Sequence, residues 1–329
     1  MHVCFGQLIE QWDALSSFVL NEKCQVKKTN DRLFRICSFF EDPSSKLYAL
    51  FLQYALPKFL NANLMLQRED PVIHLMQRRM HEVATDLMVA FIKPDVLHKA
   101  KNICKVEHHH RSVQKDREDL MIGDQTKVYL ESAKDKLNKS VITTFFQDVR
   151  AFYSSSLAYI FEKLPMQEDE LEHAEVLDVD RRIKSKFSSI QDWLQRFKCL
   201  SKGINLEDLE IEFNKFQVDN LSGLDTSIRI DVLWQKISLV KDMFGNAKYL
   251  LLGTFMKSLC ALPHSNADSE RVFSLLRKNK TESRASMSRK LLNDLIVYKM
   301  RMQAAGESCY SFQLSDTILR KARHKSTEC

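Results

Sequence analysis

Glycine and proline are scarce in this chain of 329 residues, with 7 of the first and 6 of the second. Turn-rich β architectures use both heavily, so their scarcity argues against a sandwich or barrel. The 8 cysteines are widely scattered and form no CxxC pair. Reduced intracellular thiols are therefore expected rather than a disulfide framework. No apolar run reaches the length of a membrane span, and the opening MHVCFGQLIEQW does not read as a targeting sequence. GxxxxGK(S/T), GxGxxG and GxSxG are all missing, which removes the usual nucleotide-binding and α/β-hydrolase signatures. No small-molecule substrate, cofactor or metal is expected.

What is present suits a helical protein. A hydrophobic content of 44% supports a sizeable core, enough for one large or two ordinary domains. The formal charge of +6 is unevenly placed: residues 271–329 hold 13 Lys/Arg against 5 Asp/Glu, while residues 1–270 hold 36 against 38. Helical spacing begins almost at once, with Phe5, Leu8, Ile9, Trp12, Leu15 and Val19. Asp42-Pro43 breaks that pattern. Leu47, Tyr48, Phe51, Leu52, Ala55, Leu56, Phe59 and Leu60 continue it, with a kink or break predicted at Pro57. Asp70-Pro71 reads as an N-cap and first-turn proline opening a helix with Ile73, Met76, Met80, Val83, Leu87, Met88 and Phe91 on one face, stopped by Lys93-Pro94. Residues 97–124 lose periodicity and read as a solvated charged loop. Cys104 with His108, His109 and His110 is not spaced as a zinc site. A long amphipathic helix is predicted over 140–163, followed by an exposed acidic connector over 167–180. Shorter helices are predicted over 190–197, 206–218, 230–243 and 248–260, with Trp234 buried, and a weak one over 314–322 in a basic tail.

The stretch from Leu262 to Lys299 is the most distinctive. Ser265 and Asn266 are N-cap types, and Asp268, three residues on, makes a weak capping box. Val272, Phe273 and Leu276 form an apolar stripe, and Arg277, Lys278 and Lys280 crowd the end of that helix, where cations are favoured. Ser288 caps a second helix in which Leu291, Leu292, Leu295, Ile296 and Met302 recur on one broad face, with Lys299 as a surface charge beside it. Both helices are short, so these seven apolar residues from Val272 to Ile296 are expected to be covered by the body or by a second copy. Arg284, Arg289 and Lys290 join Lys278 and Lys280 around the link, where phosphates of non-specifically bound DNA would fit.

This segment, HSNADSERVFSLLRKNKTESRASMSRKLLNDLIVYK, resembles the C-terminal dimerisation region of hAT-family transposases. The match rests on Ser265-Asn266-Ala267, Ser269-Glu270-Arg271 and Phe273-Ser274, then Arg284, Leu291/Leu292, Leu295 and Lys299. The segment Ile9-Glu10-Gln11-Trp12-Asp13-Ala14-Leu15 likewise resembles a helix that follows the first catalytic aspartates in such proteins. A mainly α chain is expected, with a helical body over 1–260 and a basic tail over 304–329 that reads as disordered. The resemblance implies that the body begins partway through the transposase, that it carries remnant C-terminal helices of an RNase H-like fold, and that 261–303 is a dimerisation region. It implies that Glu270 is the third carboxylate of a DDE set. Two-metal strand transfer needs three carboxylates and divalent ions, so Mg²⁺ is relevant only if missing sequence supplied the other two. The expectation is a catalytically inactive, domesticated, BED-zinc-finger-type transposase derivative that self-associates, nuclear and DNA-associated. The alternative is the C-terminal portion of an active hAT transposase in an incomplete gene model.

Overall fold

The computed structural model describes residues 2–23, 31–166, 169–200, 202–221 and 223–308, together with 310, 316–317 and 320. The weak helix expected over 314–322 and the expected disorder of the tail lie largely outside the described residues. The chain is mainly α. Among the described residues no strand forms, and β pairing is limited to the isolated antiparallel bridges Ile92 to Gln114 and Lys241 to Ala247. No helix among them is long and apolar enough to cross a membrane.

Two compact units divide the chain, Met1–His264 and Ser265–Cys329. The first holds α1 (His2–Glu10), α2 (Trp12–Lys23), α3 (Asp31–Glu41), α4 (Pro43–Ala55), α5 (Pro57–Leu66), α6 (Ile73–Phe91), α7 (Pro94–Lys99), α8 (Asp124–Ser132) and α9 (Lys139–Lys163). It continues with α10 (Asp169–His173), α11 (Phe187–Arg196), α12 (Leu206–Val218), α13 (Ile230–Ser238) and α14 (Leu250–Cys260). The second holds α15 (Ala267–Asn279) and α16 (Arg289–Ala304).

The first unit has two apolar cores. One is built on α4, α6 and α9, where Leu47, Phe51, Met80, Leu87, Phe91, Phe145, Tyr153 and Leu157 are buried. Local chemistry sets its helices. The Asp42 carboxylate accepts from the Ser44 N–H at 2.8 Å, and Pro43 occupies the first helical position, where its missing N–H costs nothing. Pro57 ends α4 and opens α5. Asn138 caps α9 by accepting from the Val141 N–H at 2.8 Å. The second core gathers α11 to α14 around Trp234, whose indole N–H donates to the Leu177 carbonyl at 2.9 Å. Gly253 lets α14 approach α13 closely, because a Cβ there would overlap the Ser238 side chain. Asp219, at the end of α12, accepts from Lys248 Nζ at 2.5 Å and from the Tyr249 hydroxyl. The Lys248 contact holds its carboxyl below the usual range.

Several expectations change. Asp70-Pro71 does not open α6, which starts at Ile73 behind an N-cap at Val72. Asp70 instead pairs with Arg68 at 2.7 Å and with Arg229 at 3.3 Å, and two guanidinium partners outbid a cap. Lys93-Pro94 does stop α6 but also starts α7. The charged stretch 97–124 is not simply solvated. His108, Gln114, Leu120 and Ile122 are buried, and Gln114 Nε2 donates to the His108 carbonyl at 2.9 Å. The charged side chains face outward while the chain threads back over the core, and α8 closes the segment. The acidic connector is likewise not a free strand. Ala174, Val176, Leu177 and Val179 are buried in the second core, and Glu170 and Glu175 pair with Arg196 and Arg181. Helix α13 stops at Ser238 rather than continuing to Met243. Helix α3 was not anticipated, and its Phe39 and Phe40 rings meet Trp12 of α2 at 5.4 and 5.0 Å.

Candidate self-association region

Within the second unit α15 packs on α16. The acidic first turn of α15 (Asp268, Glu270) and basic last turn (Arg277, Lys278) suit the helix dipole. The N-cap falls at Asn266, one residue after the Ser265 of the expected capping box. Asn266 makes no side-chain cap bond, while the Ser265 hydroxyl accepts from the Ala267 N–H at 3.3 Å. Asp268 instead pairs with Arg271. The Ser288 cap does form, its Oγ accepting from the Leu291 N–H at 3.2 Å.

The seven apolar residues named from the sequence are not one face. On α16 Leu292 and Ile296 are buried, and Leu295 is half-buried. Leu291 stands 56% exposed, and on α15 Phe273 stands 61% exposed while Val272 and Leu276 are half-buried. The reason is angular. A helix turns by about 100° per residue, so Leu292 and Ile296 share one stripe and Leu291, Leu295 and Tyr298 share the next. The first stripe is used within the chain, and much of the second reaches solvent.

Two polar residues tie the helices together: Asn279, which the sequence does not single out, and Lys299, which it marks only as a surface charge and signature position. Asn279 is buried at the end of α15, its Nδ2 donating to the Leu275 carbonyl at 2.6 Å. Lys299 Nζ donates to Asn279 Oδ1 at 2.6 Å. Lys299 is thus a bonded link and not a bystander charge. No periodicity signals a pair of polar residues twenty apart in sequence.

Glu270 lies exposed in the first turn of α15. Among the described residues no group of three His, Cys, Asp or Glu side chains is placed to hold a metal ion. Lys278, Lys280, Arg284, Arg289 and Lys290 are all exposed. Among the described residues none of the five is engaged in an ion pair.

Residues 237–302 match the family model described as the hAT family C-terminal dimerisation region. That span takes in the end of α13 and all of α14, α15 and α16, beginning upstream of the stretch that the sequence marks. No curated protein and no solved structure matches the chain. The chain is thus similar to hAT-family transposases through its C-terminal dimerisation region.

Proposed function

We propose that this chain is a transposase-derived protein whose work is self-association through residues 237–302, without strand cutting of its own. The carrying observation is the exposed apolar pair Phe273 and Leu291 inside a segment matched to a dimerisation region, beside a stripe already covered by Leu292 and Ile296. Light scattering on the purified protein at micromolar concentration is expected to give a dimer or larger oligomer. Leu291→Asp should shift it to monomer with little change in melting temperature, since a central interface side chain is worth about 2 kcal/mol or more. Leu292→Asp should lower the melting temperature itself, because that leucine is covered within the chain. A monomeric parent sinks the reading.

DNA association in the nucleus belongs to the same proposal, supported by the five exposed cations of the α15–α16 link and by the resemblance to proteins that act on DNA. Incubated with supercoiled plasmid and Mg²⁺, the protein is expected to bind without nicking. Affinity should fall with salt, and replacing Lys278, Lys280, Arg284, Arg289 and Lys290 by alanine should reduce the slope of log K against log salt by about 0.9 per lost phosphate contact. An unchanged slope would reassign those charges to solvation. Nicking that disappears in Glu270→Gln would show that the chain retains catalysis.

A further inference from the structure

Between α13 and α14 the chain makes a tight excursion over residues 241–248, while Val240 and Tyr249 on either side stay against the second core. Met243 and Phe244, at its tip, are 91% and 81% exposed, and Leu239 and Leu250 flank them in solvent. Large apolar side chains ordinarily fold back onto a core when the backbone lets them, and here it does not. The Asp242 N–H donates to the Asn246 carbonyl at 2.9 Å, and the Lys248 N–H donates to the Val240 carbonyl at 2.8 Å. Asp242 Oδ1 accepts from the Phe244 N–H and the Asn246 N–H, both at 2.9 Å. Those backbone donors, the Asn246 N–H foremost, hold the Asp242 carboxyl below its usual range. Gly245 completes the turn at φ +86°, a conformation that favours glycine.

We propose that this pinned loop is an anchor for a second copy of the chain, with Met243 and Phe244 as its inserting side chains. The proposal rests on the self-association reading and extends it to residues outside α15 and α16. The second copy is the favoured occupant because residues 239–250 lie wholly within the matched dimerisation region, 237–302. Aromatic residues and methionine are the types enriched at interface centres. A loop already held in one conformation loses little freedom on docking, which favours binding. Two side chains cannot supply the ~800 Å² a side of a standard interface, so the loop is one contact of a larger interface.

The test uses the full chain in sedimentation equilibrium. Met243→Ser combined with Phe244→Ser removes only solvent-exposed apolar surface, so the fold should be kept, as checked by an unchanged far-ultraviolet dichroism spectrum. The dimer dissociation constant is expected to rise by about tenfold or more. Asp242→Ala retains both apolar side chains but loosens the loop, and is expected to weaken the dimer by a smaller factor. A photo-crosslinking phenylalanine analogue at position 244 should yield covalent dimers on irradiation. If the parent dimerises and the double variant dimerises equally well without crosslinks from position 244, the loop is not the anchor while self-association stands. Parent binding to vesicles of anionic phospholipid that the double variant loses, with dimerisation unchanged, would assign the loop to a lipid surface and overturn the proposal. A monomeric parent overturns both readings.

Discussion

Phe51→Asp is expected to abolish the cooperative unfolding transition of the first unit. The Phe51 ring is 3% exposed and lies edge-on to Phe145, Phe152 and Tyr153, with ring centroids 6.0, 5.4 and 5.7 Å away. Truncating a buried phenylalanine alone costs about 3–5 kcal/mol. An aspartate adds the cost of burying a carboxylate among aromatic rings. Since a domain holds only about 5–15 kcal/mol in all, the variant should lose its near-ultraviolet dichroism signal at room temperature. Phe146→Asp serves as the graded comparison. Phe146 is also buried, but the Arg117 guanidinium lies 4.5 Å above its ring, so an aspartate there meets a cation at once. That variant should melt lower than the parent yet remain folded. If Phe51→Asp melts like the parent, α4, α6 and α9 do not form the core described here.

The second large effect is on acid stability, through His74. Burial lowers its pKa from 6.5 to about 4; Asp178 opposes the shift and Arg78 adds to it. Its Nδ1 is enclosed and without a hydrogen-bond partner in the structure. The unfolded chain takes up a proton as the pH falls through 6.5, whereas the folded chain refuses one until about pH 4. Stability from this group is therefore fully present above pH 6.5, is lost between 6.5 and 4, and changes no further below. A shift of that size corresponds to something on the order of 3 kcal/mol. Urea unfolding of the parent and of His74→Gln at several pH values between 4 and 7 isolates the contribution, since other titrating groups act on both proteins alike. The gap between the two should narrow or reverse toward pH 4. Parallel stability profiles would mean that His74 is solvated and titrates normally.

Short-range chemistry was readable from the residues alone. The span of α12, the breaks at Pro57 and Lys93-Pro94, the stripe of α9, the burial of Trp234 and the Ser288 cap all follow from residues within four positions of one another, where helical spacing and backbone geometry leave few alternatives. The signature from Ser265 to Lys299 was legible for the same reason, being a contiguous ordered pattern that points to the hAT dimerisation region. The tertiary structure decided matters that depend on partners distant in sequence. Asp70 reads as a cap until Arg229, far along the chain, claims its carboxylate. The stretches 97–124 and 167–180 read as solvated because charge dominates their composition, yet a few apolar residues in each are enough to seat the backbone on a core while the charges point away. Leu291 and Leu292 are adjacent apolar residues of equal hydrophobicity, and only the packing of α15 on α16 determines which of them is covered. Met243 reads as the last residue of a helix over 230–243, with Phe244 just beyond it. The Asp242 carboxylate and the left-handed conformation at Gly245 turn the chain there and leave both in water, because hydrogen bonds to the backbone outweigh the continuation of an apolar stripe.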